Sequence, residues 1–586
     1  MNSATICQLF REIGDRIELT DRGRKPNPSN KSASSFSSSS PSMTTVVQRK
    51  SAASLTSEFC ESYLSLPDMK RYPSSSRSSS SEKINDAKQE FLKLLLHEEY
   101  NVNQESILSA MENHVDVHNS SSPRSLPLRP SDVVRMRELC TPHYEDIFHY
   151  ILGSASKDLG VAFLVMLRRD VRDVIRYTKF MQQDNKKEKK QDGCEESRSD
   201  LLQGEDMTLD SHHRHLTKLQ MLERNIQTIL TSLFRPGVLN LQRITYQDTP
   251  ASIIEQIAFR EAVHPLQSLD DLRTRLGPGR RCFAFFHPSL PNKPLVFVHV
   301  ALLHEIPTGM DDLKHASESD ETTTCAAFYS ITNTERGLAG VDLGNHLIKS
   351  VVQVLRNEFP KLNSFCTLSP MPKFRNWLEG KIVRYHEGLV TKKKLQLEEH
   401  DNIGDNGDDY TPRFMDDSLF STMELKQLQK VFSSETYLLD LLETLKFPNW
   451  HIKSSETTMS SSSNDSSSSE ETNRTGRCPS PLVDELQPLL MKLAAYYLTI
   501  ETHHGRPLCP VAKFHIRNGA EMYRLNYMAD TSRKGMRNSC GMMINYRYSL
   551  DEIEENRVRY EIRGEVVVKD GVHCWLESGL DKTSRL

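Results

Sequence analysis

Apolar residues recur at three- and four-residue spacing through "DAKQEFLKLLLHEEY", "KDLGVAFLVMLRRDVRDVIRYTKFM" and "HHRHLTKLQMLERNIQTILTSLF", the period of one buried helix face. Residues 83–235 carry few strand signals, so a helical bundle is expected there. Such a unit serves assembly or packing, and no chemistry is read from it. After "FRPGVLNLQRITY" the period shortens. "RRCFAFFHP" and "PLVFVHVALL" are aromatic and β-branched runs separated by the turn-forming "SLPNK", which predicts a hairpin. "CAAFYSIT" (325–332) reads as a third strand. It leads into "NTERGLAGVDLGNHLIKSVVQVLRNEF", where Gly337, Gly340 and Gly344 precede a helix with Leu347, Ile348, Val351, Val352 and Leu355 on its apolar face. A further strand is expected in "SFCTLSPMPKF" (364–374), ending near Ser369 because Pro370 and Pro372 cannot continue a central ladder.

Composition limits what these elements do. The chain has 586 residues, a net charge of −4 and 11 cysteines. That is room for roughly two domains once low-complexity pieces are set aside. There is no global basic field for nucleic acid or an anionic membrane, so any phosphate binding is local. The cysteines show no CxxC pairing, which argues against a disulfide framework or a zinc knuckle and for a reducing compartment. No run of about 18 apolar residues is present, so no membrane span is expected. Residues 27–57, 73–82 and 454–477 are Ser-rich and poor in large apolar groups. Segments of that kind do not offset the entropy of ordering and read as linkers or phosphorylation substrates. "DNKKEKKQDGCEESRSD" (184–200) and "EEHDNIGDNGDD" (398–409) read as solvated loops.

Two stretches carry candidate chemistry. Strand, glycine-rich turn and helix N-terminus around 339–345 form a place for a phosphate or pyrophosphate, since free backbone N–H groups and the helix dipole both favour an anion. The bland reading is that the glycines only permit a tight turn. The spacing matches neither GxGxxG nor a P-loop. The second stretch is "CPVAKFHIRNGAEMYRLNYMAD" (509–530). Asn518-Gly519 suits a two-residue hairpin turn. It equally suits the end of a short helix begun by Pro510. Either way His515 sits near a chain reversal.

These residues, with "FYSITNTERGLAGVDLGNHLIKSVV", "LSPMPKF", "PVAKFHIRNGAEMYRLNYMADTSRKGMRNSCGMMINYRY", "EAVHPLQSLDDLRTRLGPGRRCFAFFHP" and "FLVMLRRDV", resemble the malonyl-CoA decarboxylase family over most of residues 85–565. The resemblance implies an α+β architecture in which an N-terminal helical bundle is followed by a GNAT-like mixed α/β catalytic domain. With the composition, which makes 1–82 a Ser-rich, largely disordered region and 454–477 a disordered insert, the resemblance divides the rest into a helical oligomerisation domain (83–235) and a catalytic domain (236–583). It favours the helix over 510–517.

The resemblance also assigns catalysis to Ser369 and His515. Acyl-CoA phosphates go to Ala339, Gly340, Val341, Asp342, Leu343, Gly344 and Asn345, although "GLAGVDLG" is longer than the simplest loop of that superfamily. Tyr548 of "NYRY" is a candidate for orienting the acyl group. Loss of CO2 from a malonyl thioester leaves an enolate that must be stabilised and then protonated on carbon. The thioester is the electron sink, so no metal or organic cofactor is expected. Malonyl-CoA and acetyl-CoA are the implied partners, in fatty-acid metabolism, with a homo-oligomer, a tetramer by resemblance. An acetyl-CoA-dependent N-acetyltransferase and a non-catalytic malonyl-CoA-binding regulator are the alternatives. The terminal Ser584-Arg585-Leu586 resembles a peroxisomal address read by an import receptor, with a cytoplasmic or mitochondrial pool besides. The N-terminus, with Glu12, Asp15, Glu18 and Asp21 among its arginines, is unlike an acid-poor transit peptide.

Overall fold

The structure is a computed structural model, which describes residues 3–22, 51–66, 86–97, 142–154, 157–191, 202–316, 322–401, 419–452 and 480–577. The chain divides into two compact units. The first comprises residues 1–242, 284–296 and 333–346, and the second residues 243–283, 297–332 and 347–586.

The first unit is built on helices α1 (Ser3–Arg22), α2 (Ala52–Leu64), α3 (Asp86–Leu96), α4 (His143–Ser154), α5 (Lys157–Gln191) and α6 (Leu202–Leu233). Its core is aromatic. Phe59 lies 5.6 Å from Phe10, 5.7 Å from Phe91 and 5.0 Å from Phe163 between ring centroids, within the range where edge-on and tilted pairs add to simple burial. Inside that core Lys88 pairs with Asp170 at 2.9 Å, both side chains at most 1 % exposed, and the Tyr63 hydroxyl donates to the same carboxylate at 3.0 Å. A buried ion pair is tolerated only with such added hydrogen bonds.

Helices α1 and α2 depart from the expectation of a largely unstructured region 1–82. Ile6, Leu9, Phe10 and Ile13 are buried at helical spacing, and Leu55, Phe59, Cys60 and Tyr63 do the same from α2. The flank of the first Ser-rich tract is therefore helical from residue 52; residues 27–50, 73–82 and 454–477 lie outside the described residues. Two expected loops also begin as helix. α5 runs to Gln191 and the helix Phe374–Asp401 reaches into 398–401, because Lys-, Glu- and Gln-rich runs are good helix formers even where they are fully polar.

The strands are β1 (Asn240–Ile244), β2 (Arg280–Phe286), β3 (Val296–Leu303), β4 (Cys325–Asn333), β5 (Ser364–Thr367), β6 (Ser369–Pro370), the ribbon β7 (Thr502–His503) and β8 (Arg506–Pro507), β9 (Glu521–Asn526), β10 (Met543–Arg547) and β11 (Val568–Lys569). The main sheet has the order β1-β2-β3-β4-β5-β10-β9-β11, with β6 also on β10. Strands β2 and β3 are buried along their whole length, their largely apolar runs taking Arg280, Arg281 and His299 inside with them. The expected hairpin is present: the Leu295 N–H donates to the Phe285 carbonyl and the Leu302 N–H to the Gly279 carbonyl.

Strand β4 is parallel to β5, so the chain must cross over between them. The crossover is helix α7 (Leu343–Glu358), with Leu347, Ile348, Val351, Val352 and Leu355 buried as its spacing predicts. Strand β10 runs antiparallel to both β5 and β9, with an irregularity between Asn545 and Tyr546. The fold is thus α+β, with N-terminal helices and a mixed sheet. The unit division differs from a boundary at residue 236. Residues 284–296 and 333–346, the latter holding the glycine loop, group with the helices.

Candidate active site

The Ser369 segment is shaped by its two prolines. Strand β5 ends at Thr367, and the Leu368 N–H donates to the Phe328 carbonyl. Ser369 and Pro370 then pair with Ile544 and Met543 of β10. With no N–H at 370 or 372 the ladder stops, and Lys373, at φ 70°, turns the chain into the helix Phe374–Asp401, here α8. The strand therefore ends where the prolines predict, one hydroxyl short of solvent: Ser369 is only 5 % exposed.

The stretch 510–517 is a helix, α9 (Pro510–Arg517), with Pro510 at its first position. The Asn518 and Ala520 N–H groups both donate to the His515 carbonyl, and Gly519 adopts φ +82°. This is the left-handed residue that ends a helix. A side chain at 519 is excluded twice over, since its Cβ would overlap the Ile553 carbonyl oxygen. Strand β9 follows directly.

These two segments bring Ser369 and His515 together. The serine Oγ lies 3.2 Å from His515 Nε2, while His515 Nδ1 lies 2.8 Å from the Tyr548 hydroxyl. The imidazole stacks on Tyr546, centroids 4.6 Å apart and planes within 23°. Burial holds His515, 4 % exposed, down to about 3, so the ring is neutral across physiological pH.

Sequence reasoning passed over four neighbours. Ser369 donates to Thr367 Oγ1 at 2.9 Å, and the Tyr546 N–H donates to the same oxygen at 3.2 Å. Asn545 Nδ2 donates to the Thr367 carbonyl at 3.0 Å, and Asn526 Nδ2 donates to Asn545 Oδ1 at 2.8 Å. The available signal was spacing: Thr367 and Ser369 are two apart in an extended segment and share a face, as do Tyr546 and Tyr548.

The glycine loop belongs to the first unit. Gly340 has φ +86°. A Cβ at Gly337 would overlap the Val165 carbonyl oxygen of α5, so this glycine is there for a close backbone approach. Arg168, with a side chain 0 % exposed, donates to the Gly337 carbonyl at 2.6 Å and to Glu223 at 2.7 Å. Gln227 donates to the Gly340 carbonyl at 3.0 Å, and Arg336 pairs with Asp173 at 3.0 Å.

Not every expected amide is available in this loop. Those of Ala339, Val341 and Leu343 are spent on the carbonyls of Arg336, Leu338 and Val341. Val341 and Leu343 turn their side chains inward. Among the described residues, the amides of Gly340, Asp342, Gly344 and Asn345 have no carbonyl partner. Asp342, at the start of α7, accepts from Asn345 Nδ2 at 3.1 Å.

Residues 237–585 match the family model for the malonyl-CoA decarboxylase C-terminal domain. The chain belongs to the malonyl-CoA decarboxylase family. It is 34 % identical to the malonyl-CoA decarboxylase of Mus musculus over 73 % of this chain and 69 % of that protein. It is 35 % identical to the enzyme of Anser anser anser over 62 % of each. The solved malonyl-CoA decarboxylase of Rhodopseudomonas palustris superposes with a TM-score of 0.60 at 25 % identity, covering 98 % of this chain and all of the other.

The family's vertebrate members correct one expectation. The mouse, rat and goose proteins are each named as mitochondrial, which overturns the peroxisomal reading of Ser584-Arg585-Leu586. A tripeptide carries little information, and this one lies outside the described residues.

Proposed function

We propose that this chain decarboxylates malonyl-CoA to acetyl-CoA and CO2 with Ser369 and His515 as the reacting pair, and that residues 339–345 receive the CoA phosphates. The observation that carries the reading is the 3.2 Å approach of Ser369 Oγ to His515 Nε2, both side chains buried. In the reaction the bond from the α-carbon to the carboxylate breaks, CO2 leaves, and the electron pair passes into the thioester as an enolate. One proton then adds to the α-carbon, so the net reaction consumes a proton. Ser369 hydrogen-bonds the carboxylate or enolate side, and His515 supplies the proton through Nε2. Tyr548, on the other ring nitrogen, orients the imidazole. A neutral imidazole is a weak acid in the empty site, and an arriving anion opposes the effect of burial by favouring the charged ring. The thioester supplies the electron sink, so the scheme needs no metal or organic cofactor.

The glycine-loop assignment is supported by the four unspent amides at 340, 342, 344 and 345 and by the start of α7. The helical unit is proposed to assemble copies of the chain. Phe180, Met181 and Met221 are large apolar side chains exposed on α5 and α6, and light scattering with their Ser variants tests the idea. For the chemistry, the purified protein is mixed with malonyl-CoA, with and without an amine acceptor. CO2 release without acceptor supports the decarboxylase reading. Acyl transfer only with the amine points to an acetyltransferase, and binding without turnover to a regulator.

A further inference from the structure

Thr367 is fully buried at the end of β5, where a threonine is ordinarily explained by strand propensity alone. Its hydroxyl oxygen nevertheless ends a chain of four side chains, and the hydrogens along that chain can be counted. Ser369 has one hydroxyl hydrogen and donates it to Thr367 Oγ1 at 2.9 Å. That hydrogen is then unavailable to His515. The 3.2 Å contact between Ser369 Oγ and His515 Nε2 therefore requires the hydrogen to be on Nε2. A neutral imidazole carries a single N–H, so Nδ1 is the acceptor and the Tyr548 hydroxyl donates to it across 2.8 Å. The ring is neutral because burial opposes its charged form.

Thr367 holds its end of the chain firmly. A β-branched side chain is stiff about χ1. Its oxygen also accepts from the Tyr546 N–H at 3.2 Å, and its carbonyl takes the Asn545 side chain at 3.0 Å. We propose that Thr367 is a positioning residue: by accepting the Ser369 proton it fixes His515 as the Nε2–H tautomer, with its transferable proton facing the serine. The inference rests on the reading of Ser369 and His515 as the reacting pair. Without the Thr367 oxygen, the Ser369 hydrogen turns to Nε2 and the histidine proton moves to Nδ1, facing Tyr548 and away from substrate.

Thr367→Val keeps the branched shape and removes the acceptor. The expected result is a fall in kcat of about 10²-fold with KM changed less than about threefold. Thr367→Ser should recover most of the loss. The ring nitrogens of ¹⁵N-labelled histidine should report Nε2–H in the wild type and Nδ1–H in Thr367→Val. In a Ser369→Ala background the Thr367→Val change should cost almost nothing further. If the valine variant does not fold, Thr367→Ala carries the same expectation with less bulk. Wild-type kcat in either variant, or a slow variant whose His515 tautomer is unchanged, overturns the inference. Failure of the underlying reading looks different: there a folded His515→Asn protein would itself decarboxylate normally.

Discussion

The Ser369/His515 pair and the glycine loop are held by opposite means. The pair is set by backbone: Ser369 stands opposite Ile544 in the sheet, Thr367 lies two residues earlier, and His515 sits in the second turn of a helix that ends at Arg517 and leaves through Gly519. The loop is set by side chains, with Arg168 reaching the Gly337 carbonyl and Gln227 reaching the Gly340 carbonyl. The proposed chemistry thus lies in the sheet unit, whereas the proposed phosphate grip depends on helices α5 and α6. On the proposed assignment, a helical region expected to serve assembly would also hold the loop that receives the CoA phosphates. The two regions should then fail differently when damaged, the pair in turnover and the loop in affinity.

The largest effect is expected at the pair. His515→Asn keeps volume and hydrogen bonding but removes the transferable proton, and should lower kcat by about 10² to 10⁴-fold with little change in malonyl-CoA affinity. Near-normal turnover by the folded variant would leave His515 structural. Ser369→Ala should also slow turnover, and the double variant should lose less than the product of the two single losses if the residues act as a unit. Strict multiplication would show two independent contributions.

Next comes the loop. Arg168→Met keeps most of the packing but leaves the Gly337 carbonyl without its donor and Glu223 with Arg172 as its remaining partner at 2.9 Å. Stability should fall by about 2 kcal/mol. KM for malonyl-CoA should rise several-fold, with kcat of the saturated enzyme nearly intact. A fall in kcat at constant KM would erase the contrast between the two regions. Gly340→Asp sharpens the same point by adding bulk and like charge beside the phosphates, so a folded variant with unchanged affinity for free CoA would remove the phosphate assignment.

The smallest expected effect is on stability with pH. His515 sits at about 3 when folded, against about 6.5 for an unperturbed histidine. Between those values the unfolded chain binds the extra proton, so stability falls as pH drops through this window, by up to about 1.4 kcal/mol per unit for this one group. His299, pushed to about 3, and His264, to about 4, act in the same direction, both mainly through burial. Denaturant titrations at pH 5 and pH 7.5 should therefore show a smaller acid loss in His515→Asn than in the wild type, with some loss remaining. An unchanged difference would mean that the histidine is not buried neutral in solution.

Much of the sheet unit is legible in the sequence, because β2, β3, β4, α7 and the end of β5 follow apolar period and proline placement. The 510–517 segment is not locally decidable. Asn518-Gly519 satisfies a hairpin turn and a helix end alike, and the choice is made by the carbonyl of His515 and the backbone of Ile553. Helices α1 and α2 are obscured by neighbouring serines, although Ile6, Leu9, Phe10 and Ile13 carry the period. Thr367 is hidden because a hydroxyl in a strand looks like propensity. Arg168 is hidden because a charged residue on an amphipathic helix looks like surface, and its partners, the Gly337 carbonyl and Glu223, lie 169 and 55 positions away.

The stacking of His515 on Tyr546 has a stereochemical consequence. With one face of the imidazole covered at 4.6 Å and its nitrogens tied at both ends, the ring cannot turn over to reach an enolate from the other side. In the proposed role of His515, delivery is then to a single prochiral face. A malonyl-CoA carrying a single tritium of one configuration at its central carbon, decarboxylated in deuterated water, should yield an acetyl group of one handedness, whereas protonation by bulk solvent would yield both.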